Sequence, residues 1–215
     1  MSQMLGKLKL SRSYQVFKAG LWDENPVFRQ ILGICSTLAV TNLLVNTAVM
    51  CAGLIFVLAC SNTTVSLLRR HMPHRIRMMV QVLIIAAYVI IVDIAMRAYY
   101  PEVHKLIGPY VGLIITNCII MGRCEAFATK NPPLASFWDG LGAGIGYSIV
   151  LLMIAVVREA LGFGTLYGIA LPARDVWLPH PWTIMVMPPG AFFMLALVAW
   201  LGNATTADTE KRGAA

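Results

Sequence analysis

Apolar residues run in six stretches, at 31–44, 45–68, 78–96, 106–121, 138–157 and 182–201, with charged residues collected between them. Crossing the hydrocarbon core takes about 20 apolar residues in a helix, and four of the stretches are long enough. The first and fourth are shorter, and both are interrupted: by Gly33, Ser36, Thr37 and Thr41 in one, and by Gly108, Pro109, Gly112, Thr116 and Asn117 in the other. Apolar runs of about 10–14 residues suit re-entrant or buried elements. Such elements survive only inside protein, because hydrocarbon offers freed backbone groups no partner. The two short segments open two halves of three segments each, so the second half enters the membrane from the opposite side. Short, interrupted segments at matching places of an inverted repeat mark a midplane binding site; two ordinary short helices that bend are the alternative. The expected fold is an all-α integral membrane protein with six transmembrane segments in a 3+3 inverted repeat, segments one and four being broken half-helices.

Composition narrows the setting. Of the 215 residues, 58% are hydrophobic and 13% charged, whereas a soluble domain carries about 25% charged residues. Six spans use about 120 positions, which leaves too little for a large extramembrane domain and argues against a soluble nucleotide-binding, hydrolase or DNA-binding fold. The organisation expected is a basic N-terminal segment at 1–29, one membrane domain at 30–203 and a tail at 204–215. No compact apolar run lies near Met1, so no cleaved signal peptide is expected. The net charge of +7 then reads as topology. With the N-terminus inside, the inner side holds Lys7, Lys9, Arg12, Lys18, Arg29, Arg69, Arg70, Arg75, Arg77, Arg123, Lys130, Lys211 and Arg212, and the outer side only Arg97, Lys105, Arg158 and Arg174. That asymmetry puts both termini in the cytoplasm.

The five cysteines, Cys35, Cys51, Cys60, Cys118 and Cys124, show no C-x-x-C and no zinc spacing. Taken singly, each is a small packing residue. Placement separates two of them, since Cys35 sits in the first short segment and Cys118 in the fourth. Cys35 follows Arg29 by six residues and Cys118 precedes Arg123 by five, so both lie roughly 7–9 Å inside the cytoplasmic ends at about 1.5 Å per residue, or deeper if the half-helices break near the midplane. They are able to share a site. Cys51 and Cys60, nine apart, project from opposite helix faces, and Cys118 and Cys124 diverge if their helix continues. The chain thus offers two well-placed thiolates, and a four-cysteine iron–sulfur cluster needs two more from a partner.

Acidic residues at bilayer depth are costly and functional by default. Asp93 lies in the third segment with Arg97 at i+4, either as an interfacial ion pair or as part of a cation path. Asp139 opens a glycine-rich run, Asp139 to Gly146, as a cation-path residue or as a helix N-cap. The glycines permit close helix contact and lack the context of a phosphate loop. Glu125 and Glu159 read as interfacial partners of Arg123 and Arg158. His71 and His74 make a weak metal signal, Trp177 and Trp182 suit an interfacial belt, and the Pro188, Pro189, Gly190 run is expected to bend segment six.

The stretches NPVFRQILGICS at 25–36, LAVTN at 38–42, VGLIITNCIIMGR at 111–123 and EAFA at 125–128 resemble the D-subunit family of the Na⁺-translocating NADH:ubiquinone reductase, related to the E subunit of that enzyme and to membrane subunits of the Rnf ferredoxin-linked complex. The resemblance spans roughly residues 25–203. It implies six helices in an inverted repeat, and Cys35 and Cys118 as ligands to an intramembrane [2Fe–2S] cluster shared with two cysteines of the E subunit. It also implies electron relay between cytoplasmic iron–sulfur and flavin carriers and a flavin subunit on the outer face, Asp93 and Asp139 in sodium uptake, and residence in the bacterial inner membrane among lipid and the other reductase subunits. Such a chain is part of a translocase and not catalytic alone. Cys124 stands where the family pattern leads one to expect alanine, which leaves the ligand set open at that point. The competing readings are an Rnf subunit, a secondary transporter with the same kind of repeat, and a structural subunit whose cysteines only pack.

Overall fold

The computed structural model describes residues 32–41, 43–73, 75–99, 101–162, 165–166, 169–170, 187 and 189–200. The helices are α1 (Ile34–Val40), α2 (Leu44–Leu68), α3 (Arg77–Tyr99), α4 (Pro101–Ile115), α5 (Cys118–Arg123), which continues into a π-helical turn at Cys124–Ala128, α6 (Pro133–Gly162) and α7 (Pro189–Trp200). A two-residue antiparallel pair, Thr165–Leu166 with Ile169–Ala170, is the whole of the sheet among the described residues. Four stretches are long and apolar enough to cross a membrane: Leu44–Leu68, Arg77–Tyr99, Val111–Ala128 and Pro133–Gly162. They differ from the four expected. The fourth segment reaches spanning length because α5 and the π turn carry it on to Ala128, whereas the described part of the sixth is the shorter α7. The N-terminal segment, the tail, His74, Trp177 and Trp182 lie outside the described residues. Of the Pro188, Pro189, Gly190 run, Pro189 and Gly190 open α7, and Pro188 lies outside the described residues.

Helices α2 and α6 form the centre. The buried positions of α2, including Thr47, Met50, Leu54, Val57, Ser61 and Val65, recur every three or four residues, the spacing of one helix face. Against that face α6 sets glycines. A Cβ on Gly140 would lie 3.1 Å from Ala59 Cα and from Leu58 O, and one on Gly144 would lie 3.3 Å from Ile55 Cα. The absent side chains let the two backbones approach, which is how helices associate where water supplies no driving force. Helix α3 buries only Gln81, Ile85 and Val89 and leaves Met79, Leu83, Ile91 and Ile94 exposed, as suits a face turned to lipid.

Among the described residues, irregular backbone stands at Leu32–Gly33 before α1, at Thr41 and Leu43 between α1 and α2, and at Thr116–Asn117 between α4 and α5. Side chains satisfy the backbone freed at the second. Thr47 Oγ1 reaches Val40 O at 3.0 Å and Leu43 O at 2.9 Å, Glu159 Oε2 accepts from Leu44 N at 2.7 Å, and Arg158 donates to Thr41 Oγ1 and, at 3.3 Å, to Met187 O. Arg158 and Glu159, expected as an interfacial charge pair, are both buried. Buried charge is kept where it is hydrogen-bonded, and a chain break supplies the bonds.

Candidate functional site at two helix breaks

The first break is set by one residue. Gly33 has φ +89°, and a Cβ there would lie 2.7 Å from Ile119 Cδ1 and from Tyr147 Cε2 and OH. Both the left-handed backbone and the crowding require glycine. Its carbonyl oxygen accepts from Thr37 N at 3.2 Å, Thr37 Oγ1 at 2.8 Å, Ser36 Oγ at 3.1 Å and Tyr147 OH at 3.1 Å. The Ser36 and Tyr147 hydroxyls are bonded to each other. At the other break Asn117 caps α5, its Oδ1 accepting from Ile119 N at 3.1 Å, while its Nδ2 donates to Ser36 Oγ at 3.4 Å. Gly33 N then donates to Cys118 Sγ at 3.4 Å. The two breaks, eighty-five residues apart in sequence, therefore form one polar cluster.

Of the expected ligands, Cys118 is half-buried in this cluster and Cys35, two residues beyond Gly33, is exposed. Tyr147, 0% exposed, stands fourteen residues from the start of α6 and fifteen from its end, so about 21 Å from each at 1.5 Å per residue. The cluster lies near the middle of the longest helix described. Cys118 also lines a cleft of about 480 Å³ whose other walls include Arg77, Met121, Glu125 and Lys130. All five cysteines are free thiols. Cys124 is fully buried, its Sγ donating to Asn62 Oδ1 at 3.2 Å. Among the described residues no three His, Cys, Asp or Glu side chains are grouped to hold a metal ion by themselves.

The acidic residues are elsewhere. Asp139 lies inside α6, six residues past its first, which corrects the N-cap alternative. Its Oδ1 meets Arg123 NH1 at 3.3 Å, with 2% and 5% of the two side chains exposed. Arg123 thus pairs with Asp139, while Glu125 takes Arg77 and, at 2.9 Å, Gln81 Nε2; the expected pairing of Glu125 with Arg123 is corrected. The reason is helical geometry, since residues two apart do not face each other. Asp93 holds Arg97 NH2 at 3.1 Å, as the i+4 spacing predicts, and also His104 Nε2 at 2.8 Å. His104 and Tyr147 are not residues that the sequence singles out. A signal for Tyr147 exists, a phenol in mid-segment whose hydroxyl has to find a partner. His104 meets Asp93 only through the packing of α4 on α3, which spacing in the sequence does not give.

Comparison with known proteins agrees with this architecture. Residues 13–199 match the family model described as Rnf-Nqr subunit, membrane protein. The chain is 50% identical over 182 residues to the D subunit of the Na(+)-translocating NADH-quinone reductase of Pseudomonas aeruginosa PAO1, covering 84% of this chain and 81% of that one. It is 44% identical over 200 residues to the same polypeptide of Yersinia enterocolitica, covering 92% and 96%, and 44% identical over 189 residues to that of Shewanella woodyi, covering 87% and 90%. The chain, a multi-pass membrane protein, belongs to the Rnf-Nqr family of membrane subunits.

Proposed function

We propose that this chain is the D subunit of a sodium-translocating NADH:quinone reductase and that Cys35 and Cys118 are its two ligands to a [2Fe–2S] cluster completed by two cysteines of a paralogous E subunit. The observation that carries the reading is the contact between the breaks: a backbone N–H is aimed at Cys118 Sγ two residues before the exposed Cys35. Donor chemistry fits the group. Two thiols are available, one of them at the surface where a partner's pair would meet it, and backbone N–H donors to sulfur are a usual feature of iron–sulfur sites. Cys124 is engaged with Asn62 and is left out of the ligand set. The cluster would supply one-electron relay between redox subunits on the two faces of the bilayer.

The matching positions of the breaks, before α1 and before α5, support the 3+3 inverted repeat in the bacterial inner membrane. In the same reading both termini are cytoplasmic, with Arg69, Arg70, Arg77 and Lys130 inside. Asp93 and Asp139 are proposed for the cation path; each already faces a cation of the protein, so sodium enters by exchange with it.

The test is iron analysis and EPR of the assembled complex carrying Cys35→Ala or Cys118→Ala. Loss of the signal in each is expected, and a cluster retained in both defeats the ligand assignment. For the cations, Asp93→Asn and Asp139→Asn should weaken sodium stimulation of turnover; unchanged sodium dependence in both removes them from the path.

A further inference from the structure

The hydroxyl of Tyr147 is buried at mid-helix depth, and its ring touches the place where a Cβ of Gly33 would be. One assignment of protons links the two breaks, with the Ser36 proton turned to Tyr147 and away from Gly33 O: Asn117 Nδ2 donates to Ser36 Oγ, Ser36 to Tyr147, and Tyr147 to Gly33 O. The chain begins at one break and ends at the other. With Thr37 also bonded to Gly33 O, the carbonyl of Gly33 is held from several directions, and a residue so held at φ +89° has a fixed N–H direction. That N–H meets Cys118 Sγ.

We infer that Tyr147, acting through Ser36 and Gly33, is a positioning residue that holds the Gly33 N–H on the Cys118 sulfur and so raises the reduction potential of the cluster site. The inference rests on the ligand assignment above. Its sign follows from electrostatics: the added electron makes the sulfur more negative, a donor hydrogen stabilises that state, and hydrogen bonds to sulfur are one of the means by which a protein sets a cluster's potential. A phenylalanine at this position fills the same space without the hydroxyl.

The experiment is an EPR-monitored redox titration of the assembled complex with Tyr147→Phe, beside Ser36→Ala in case the first variant assembles poorly. The remote Tyr88→Phe, which removes a hydroxyl bonded to Thr64 at 2.8 Å, serves as control. Tyr147→Phe and Ser36→Ala should retain iron and lower the potential, with about a tenfold change in the reduction equilibrium, or about 59 mV for one electron, while Tyr88→Phe leaves it unchanged. In complex produced under iron limitation, N-ethylmaleimide should label Cys118 several-fold faster in Tyr147→Phe than in the parent, read by mass spectrometry. An unchanged potential at full iron content, or unchanged labelling of Cys118, overturns the inference. A cluster retained in Cys118→Ala would instead overturn the ligand assignment on which it stands.

Discussion

Replacing Gly33 by alanine adds one methyl group at the most constrained backbone position described. The new Cβ would sit 2.7 Å from Ile119 Cδ1 and from both the ring and the hydroxyl of Tyr147, inside van der Waals contact on two sides. Left-handed backbone costs an alanine about 1–2 kcal/mol, and overpacking a filled site costs about 1–3 kcal/mol, so the expected destabilisation is about 2–5 kcal/mol. At about 2–4 °C per kcal/mol for a chain of this size, the apparent melting temperature should fall by roughly 4–20 °C. Thermal unfolding of the purified complex in detergent, followed by a thiol-reactive fluorophore at one scan rate, measures it. Gly112 is the internal comparison: nothing lies within 4 Å of its Cβ position, and alanine there gains up to about 1 kcal/mol in helix propensity. A Gly33→Ala protein that melts within a degree of the parent, or no lower than Gly112→Ala, would refute the claim that this glycine is required by shape.

The buried Arg123–Asp139 pair predicts strong non-additivity. Arg123→Met or Asp139→Leu alone should cost about 3–5 kcal/mol, because each strands a buried charge, and the double variant should recover part of that loss; additive losses in a double-mutant cycle would separate the two side chains. Glu159→Ala removes the acceptor of Leu44 N, a charge-assisted bond whose loss costs about 1.5–3 kcal/mol. It should raise hydrogen exchange at the start of α2, and unchanged exchange there would count against Glu159 as the clasp of that break. Gly140→Ala, whose Cβ meets backbone of α2 at 3.1 Å, should destabilise by about 1–3 kcal/mol, against little change for Gly112→Ala.

What the sequence disclosed depended on whether a feature is local. Broken segments are legible because glycine, asparagine and threonine stand inside short apolar runs. Similar counts, six from Arg29 and five from Arg123, led to Cys35 and Cys118 being expected at one depth, and Gly33 N, two residues before Cys35, does meet Cys118. Charge pairing was legible only within a helix turn: Asp93 with Arg97 followed from i+4 spacing, whereas Arg123 chose Asp139 and Glu125 chose Arg77, partners brought together by packing. Arg158 and Glu159 looked interfacial because they follow a long apolar run. They are buried because an irregular stretch of another segment lies against them, which hydropathy along one segment does not register.

Helix α6 makes polar contacts with its neighbours at three levels: Asp139 at one end, Tyr147 in the middle, and Arg158 and Glu159 near the other end. From the tight contact at Gly140 to Arg158 is eighteen residues, a lever arm of about 27 Å. A tilt of only about 5° around that fulcrum would move the Arg158 end by roughly 2 Å, enough to release hydrogen bonds of ordinary length. The glycine contact that lets α6 lie close to α2 thereby makes it a pivot: a tilt leaves Asp139, one residue from the fulcrum, nearly in place and is felt increasingly at Tyr147 and at Arg158.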